Sequence, residues 1–126
     1  MGFQPGELVL ELGYSSDADQ TLREAISAVT GTSLVEDQTE EVVDAVIIWR
    51  READGDLEDE LVDALTYLTE SGSIWVLTPK AGRDGHVEPS DIQDAAPNVG
   101  LSQTSTLAVA ADWTATRLVA RKTAKR

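Results

Sequence analysis

The segment DAVIIWR, residues 44–50, constrains the fold more than any other part of the sequence. Every residue from Ala45 to Trp49 is apolar, so an extended chain would be apolar on both faces here. A strand of that kind is typical of a sheet that helices cover on both sides. The segment therefore predicts a buried strand in an α/β protein.

Other apolar segments bounded by glycine or proline predict further strands. Three short runs precede or follow the 44–50 strand, and two more close the chain with little between them, which favours an antiparallel hairpin. The predicted strands are 6–14, 32–37, 44–50, 73–79, 104–112 and 114–122.

Amphipathic segments with capping residues predict three helices between these strands. The first begins at Ser16 or Asp17 and ends at Gly31, and the second begins at Asp54 or Asp56 and ends at Gly72. The third covers 88–100 and is stopped by Pro97.

The predicted order of elements is β-α-β-β-α-β-α-β-β. With right-handed crossovers, it predicts an α/β fold: a three-layer Rossmann-like, mostly parallel sheet of about six strands with a C-terminal antiparallel hairpin. We expect one domain over residues 1–122 and a basic tail at 123–126.

Composition excludes several classes of function. The chain has 23 acidic and 10 basic residues, a net charge of −13, which disfavours binding to nucleic acid and to anionic membranes. It has no cysteine, so disulfides and thiolate metal sites are excluded. The first twenty residues lack a signal-peptide pattern, and no apolar run could span a bilayer. We therefore expect a cytoplasmic protein.

Two segments are similar to a known fold. LVLELGY, residues 8–14, resembles the first strand of the class I methyltransferase fold, and LTESGSIWVLTP, residues 68–79, resembles a later segment of it. The closing hairpin resembles the characteristic antiparallel pair of that fold. The resemblance implies a shortened methyltransferase-like fold that lacks a helix-strand-helix unit before DAVIIWR.

The resemblance also implies where a cofactor would lie. Family members bind S-adenosylmethionine at a glycine-rich turn after the first strand. The corresponding turn here is GYSSDAD, in which Tyr14 and two acids would fill or repel that position. Glu36 or Asp37 matches the acid that holds the ribose hydroxyls. We expect adenosylmethionine chemistry to be lost, with no cofactor and no catalytic residue.

A second resemblance covers residues 2–121. The chain is similar to a small actinobacterial family of unknown function, and LTPKAGRDGHVEPSDI, residues 77–92, is the most specific segment. This resemblance implies no activity.

Open α/β sheets bind ligands beyond the carboxyl ends of their strands. If the predicted strands lie in the order two-one-three-four, the loops 14–19, 36–41, 50–56 and 78–87 share one edge. The acidic residues there could hold a divalent cation. Alternatively, Lys80, Arg83 and the amides of Gly82 and Gly85 could bind an anion. The alternatives are helix caps for the acids and an exposed loop histidine. The candidate ligand- or partner-binding residues are Lys80, Arg83, Asp84, His86, Asp17, Asp19, Asp54 and Asp56.

Two functions are compatible with this sequence. The first is a non-catalytic regulatory or adaptor protein, whose partner is another protein bound through the acidic face or the 80–86 loop. The alternative is a protein or enzyme that binds a small anionic or nucleotide-like ligand at the strand ends. A homodimer through the hairpin edge is compatible with either.

Overall fold

A computed structural model of the chain describes residues 3–35, 42–52 and 55–120. The described residues form five strands and three helices. The strands are β1 (Val9–Leu12), β2 (Val43–Trp49), β3 (Leu68–Pro79), β4 (Leu101–Ala108) and β5 (Trp113–Ala120). The helices are α1 (Gln20–Thr30), α2 (Leu57–Leu65) and α3 (Pro89–Asn98). No helix among these residues is long and apolar enough to cross a membrane.

The five strands form one sheet in the order β1-β2-β3-β5-β4. Val35 adds a single parallel bridge to Leu10 on the outer side of β1. The order two-one-three-four, on which the meeting of the loops was conditional, is therefore the observed one. The predicted α/β sheet is confirmed and is mixed: the Val35 bridge and two strand pairs are parallel, whereas β5 forms antiparallel pairs with β3 and, in the C-terminal hairpin, with β4.

Helices cover both faces of this sheet, as predicted. Helix α1 packs against one face, where Trp49, Trp75 and Trp113 are at most 3% exposed. Helices α2 and α3 pack against the other face. The central strand β2 is at most 2% exposed from Ala45 to Trp49, so its two apolar faces belong to two separate cores.

Several predicted element ends are wrong by a few residues. Helix α1 is capped by Asp19, whose side chain accepts a hydrogen bond from the Leu22 N–H at 2.8 Å, and not by Ser16 or Asp17. Pro97 lies inside the last turn of α3. Strand β4 begins at 101, three residues earlier than predicted.

The second helix differs most from its prediction. It ends at Leu65, and the chain is already in β3 at Leu68, which pairs with Val43 of β2. The predicted stop, Gly72, is buried within β3. A Cβ at that glycine would lie 2.7 Å from the Asp44 carbonyl oxygen, so the strand approaches β2 too closely for a side chain. Pairing with β2 thus overrides the helical pattern.

The α2 face of the core gives a test of this packing. Leu61 is fully buried, while its neighbour Val62 is 48% exposed. We expect Leu61→Ala to lower the free energy of unfolding by about 2–5 kcal/mol, because it leaves a cavity in the core. Val62→Ala should change it by less than about 0.5 kcal/mol. Urea denaturation followed by circular dichroism measures both, and equal effects would contradict the assigned face.

Candidate functional site

The loops that follow β1, β2 and β3 meet at one edge of the sheet. The three strands are parallel, so their carboxyl ends lie side by side. The Glu52 N–H donates to the Gly85 carbonyl oxygen at 2.9 Å, which joins the second loop to the third. The predicted convergence is confirmed for these three loops, whereas 36–41, with Glu36 and Asp37, lies outside the described residues.

Arg51 is the centre of this edge. Its Nη1 donates to the carbonyl oxygens of Gly13 at 3.0 Å and Trp49 at 2.9 Å. Its Nε and Nη2 donate to the two carboxylate oxygens of Asp17 at 2.9 and 2.5 Å. The guanidinium carbon lies 5.4 Å from the centre of the Trp113 ring. One side chain therefore joins the ends of β1, β2 and β5.

The pKa of Asp17 reflects this contact. The hydrogen bond from Arg51 favours the ionised carboxylate and holds the pKa of Asp17 below its ordinary value, against the smaller effect of burial. The Asp17 side chain is still 53% exposed, so solvent screens the pair. Asp17 was a candidate for binding a ligand, and the structure places it in an internal ion pair.

Gly13 permits the first loop to lie against β2. Its φ of +76° is in the left-handed region, and a Cβ there would lie 2.5 Å from the Trp49 carbonyl oxygen. The backbone after β1 therefore packs directly on the end of β2. From β1 the chain first runs to Val35 on one side of β1 and then returns to β2 on the other side. Open α/β sheets bind ligands at such a change in strand order.

A second ion pair, with a buried carboxylate, lies next to this junction. The Glu11 carboxylate accepts hydrogen bonds from Arg23 at 2.6 and 2.7 Å and from the Trp49 indole N–H at 2.8 Å. The hydrogen bond to Glu11 raises the pKa of Arg23. The Arg23 guanidinium also lies 4.2 Å from the centre of the Tyr14 ring. The Tyr14 side chain is 52% exposed.

Arg50 anchors the loop before α2 from the opposite face of β2. It is 6% exposed, and its guanidinium contacts Glu60 at 3.2 Å and the Gly55 carbonyl oxygen. Sequence reasoning missed Glu11, Arg50 and Arg51. A charged residue within or directly after an apolar strand was the available signal, because such a residue needs a partner when it is buried.

The structure gives two of the other predicted acids a capping role. Asp19 and Asp56 are N-caps, and Asp56 accepts a hydrogen bond from the Glu58 N–H at 2.9 Å. Asp84 is exposed, and Asp54 lies outside the described residues. Over 3–35, 42–52 and 55–120, no group of three His, Asp or Glu side chains could hold a metal ion.

The 80–87 loop consists of two successive turns. The Arg83 N–H donates to the Lys80 carbonyl oxygen at 3.0 Å, and the His86 N–H donates to the Arg83 carbonyl oxygen at 3.2 Å. Gly82 and Gly85 supply the positive φ angles that these turns need. The Arg83 side chain forms an exposed ion pair with Asp112 at 2.7 Å.

Two of the candidate residues in this loop face a common cavity. His86 and Lys80 line an enclosed space of about 90 Å³ beneath the loop. The His86 Nδ1 lies 2.8 Å from the Pro79 carbonyl oxygen, and since a carbonyl only accepts, Nδ1 carries the proton. The acids of the first two loops are not among the residues that line this cavity.

The Asp17–Arg51 pair predicts a specific acid sensitivity. Because the folded pKa of Asp17 lies below its unfolded value, its stabilisation is present above about pH 4 and is lost as the pH falls through the folded pKa. We expect Asp17→Asn to lower the free energy of unfolding by roughly 0.2–1 kcal/mol at pH 7, and by less at pH 3 or in 1 M salt. Urea denaturation at each pH measures this.

Asp94→Asn, at an exposed position of α3, is the matched control and should show no such pH dependence. An Asp17→Asn effect that is unchanged between pH 7 and pH 3 would contradict the ion pair.

Sequence comparison places the chain among proteins of unknown function. Residues 1–122 match the family described as "Protein of unknown function (DUF3052)". The uncharacterised protein Rv2239c of Mycobacterium tuberculosis is 45% identical over 122 residues, which cover 97% of this chain and 77% of that protein.

Structure comparison identifies the fold. A SAM-dependent methyltransferase from Aquifex aeolicus matches with a TM-score of 0.60 and 10% identity, covering 93% of this chain and 84% of that one. The magnesium protoporphyrin IX methyltransferase of Synechocystis, solved with bound SAM, matches with a TM-score of 0.52 and 14% identity, covering 94% and 71%. The chain thus has a methyltransferase-like fold and belongs to the DUF3052 family of proteins of unknown function.

Proposed function

We propose that this protein is a non-catalytic adaptor or regulatory protein that binds another polypeptide along the open edge of β4. The observation that carries the proposal is that no residue of β4 itself is charged in a strongly acidic chain, although Arg117 of β5 reaches Thr104. A cytoplasmic location is part of the proposal, because the cysteine-free composition suits a reducing compartment.

The crevice at the ends of β1 and β2 supports a function other than methyl transfer. S-adenosylmethionine would need space between the first loop and the end of β2. In this chain, Gly13 lies against the Trp49 carbonyl, and Arg51 bonds to both residues and to Asp17. These contacts within the chain support a function that does not use the cofactor.

Strand β4 has the properties of a strand that accepts a partner. It pairs with β5 on one side, and no other described strand pairs with it on the other. Residues 101–111 contain no charged side chain, although 26% of the chain is charged and eleven residues would on average carry about three charges. Edge strands that must stay single are usually protected by charges or proline, and β4 has neither. Its one irregularity lies between Gln103 and Ser105.

An apolar groove runs beside this edge. It has a volume of about 410 Å³ and lies between α1 and the tip of the β4–β5 hairpin. Val29 from α1 is 47% exposed, and Leu107 from β4 is 40% exposed. A strand added to β4 could place alternate apolar side chains into this groove, which is how added strands gain specificity.

Charge favours a different protein over a second copy as the occupant. Two copies would each carry −13, so their approach would be opposed by long-range repulsion. A partner with an uncharged extended segment inside a basic surface would match both the neutral edge and the acidic body. We therefore propose a protein of this kind as the partner.

Two variants, each with aspartate in place of an exposed apolar residue, test this surface. Leu107→Asp adds a charge at the β4 edge, whereas Val62→Asp adds one at a similarly exposed apolar position on α2. We expect a protein captured from the native host by the tagged wild-type chain to be retained by Val62→Asp and lost by Leu107→Asp. With the purified partner, calorimetry should show at least a tenfold weaker affinity for Leu107→Asp.

The controls separate the other outcomes. Both variants should keep the wild-type circular dichroism spectrum and sediment as monomers at micromolar concentration. Equal capture by the two variants would contradict the β4 surface. A wild-type dimer that Leu107→Asp dissociates would replace the second protein with a second copy.

A further inference from the structure

Four threonines line the cavity beneath the 80–87 loop, which we call the threonine cavity. Thr78 of β3 is directly opposite Thr114 of β5, and Thr106 of β4 is directly opposite Thr116 of β5. The two cross-strand pairs lie on the face that α2 and α3 cover, and the loop closes the space above them. We infer that the threonine cavity binds a small oxyanion, that is, a carboxylate or phosphate group.

The buried hydroxyls indicate a polar occupant. Thr78 and Thr116 are each 5% exposed, and no hydrogen bond joins either hydroxyl to another residue in the described part of the chain. Among the described residues, the only buried polar side-chain atom without a partner is Arg50 Nε, so the two hydroxyl oxygens are accessible and can bond to a polar molecule. Both side chains line the cavity, so a molecule inside it can accept their protons.

The charges around the cavity indicate that the occupant is an anion. The chain contains 23 acidic residues, yet none of them lines this cavity. Lys80 does line it, and its ammonium group has no ion pair with any other described residue. A cavity whose lining residues include a lysine and hydroxyl donors has the groups that bind oxyanions through charge-assisted hydrogen bonds.

The volume limits the size of this anion. About 90 Å³ corresponds to about three water molecules, each with a share of about 30 Å³ in the liquid. A carboxylate or phosphate group fits this space, whereas a whole nucleotide does not. The imidazole of His86, held by the Pro79 carbonyl, forms part of the wall. The site is on a different surface from the β4 groove and does not depend on a partner there.

Two-dimensional NMR of the ¹⁵N-labelled chain tests the inference with sodium acetate and inorganic phosphate as probes. Sodium chloride at matched ionic strength is the control for general salt effects. We expect at least one anion to shift the amide signals of Thr78, Val87 and Thr116 saturably, with a dissociation constant in the millimolar range. Saturation by only one of them would identify the group as a carboxylate or a phosphate.

Matched variants assign the binding to the cavity. Lys80→Gln and Thr116→Val should each weaken binding about tenfold, since each removes one donor to the anion. Arg117→Gln, which removes a cation on the opposite face, and Thr21→Val, at an exposed position of α1, should leave it within about twofold. If Thr116→Val unfolds the chain, Lys80→Gln alone tests the site, because Lys80 is only partly buried and its replacement should leave the chain folded.

Two results would overturn the inference. One is the absence of saturable shifts with both anions, which would mean that water alone fills the cavity. The other is an affinity that Lys80→Gln leaves unchanged, which would place the bound anion elsewhere on the protein.

Discussion

The guanidinium group of Arg51 determines how the strand ends meet, and the arrangement of the loops at that edge depends on it. It bonds to the carbonyl oxygens of Gly13 and Trp49 and to Asp17, and it lies over Trp113. Its aliphatic stem also lies beside Gly85, where a Cβ would be 3.1 Å from the Arg51 Cβ. Arg51 therefore contacts the first, second and third loops, and the Glu52–Gly85 hydrogen bond adds a second link between the last two.

This junction changes which surfaces remain for binding. The fold is methyltransferase-like, and in this chain hydrogen bonds from Arg51 join the loop after β1 to the end of β2. Two features are not used by that junction: the uncharged edge of β4 and the threonine cavity at the ends of β3 and β5. We propose the first as a surface for a polypeptide and the second as a site for a small anion.

The sequence predicts the main features of the fold because burial leaves a clear pattern. The apolar run 45–49 predicts a strand buried on both faces, and the alternation of strands with helices predicts the α/β class. The end of α2 could not be predicted, because Leu68 continues the helical period and only its pairing with Val43 makes it a strand residue. Likewise, several acids before α1 are equally suitable caps, and only the position of Arg51 distinguishes Asp17 from Asp19.

The candidate site was predictable in its place but not in its chemistry. The sequence indicates that the loops meet, and it draws attention to Lys80 and His86. It does not show that Arg51 reaches Asp17, 34 positions earlier, or that four threonines from three strands face one cavity, because such contacts depend on strand register.

We propose that Arg51 closes the space between Gly13 and Trp49, and side-chain NMR tests this directly. We expect nuclear Overhauser contacts between the Arg51 side chain and the Trp113 ring. In excess S-adenosylmethionine, the Arg51 Nε–H signal should persist and the Gly13 amide signal should not shift. Absence of those contacts, together with saturable shifts at Gly13 on adding the cofactor, would show an open crevice and contradict the account.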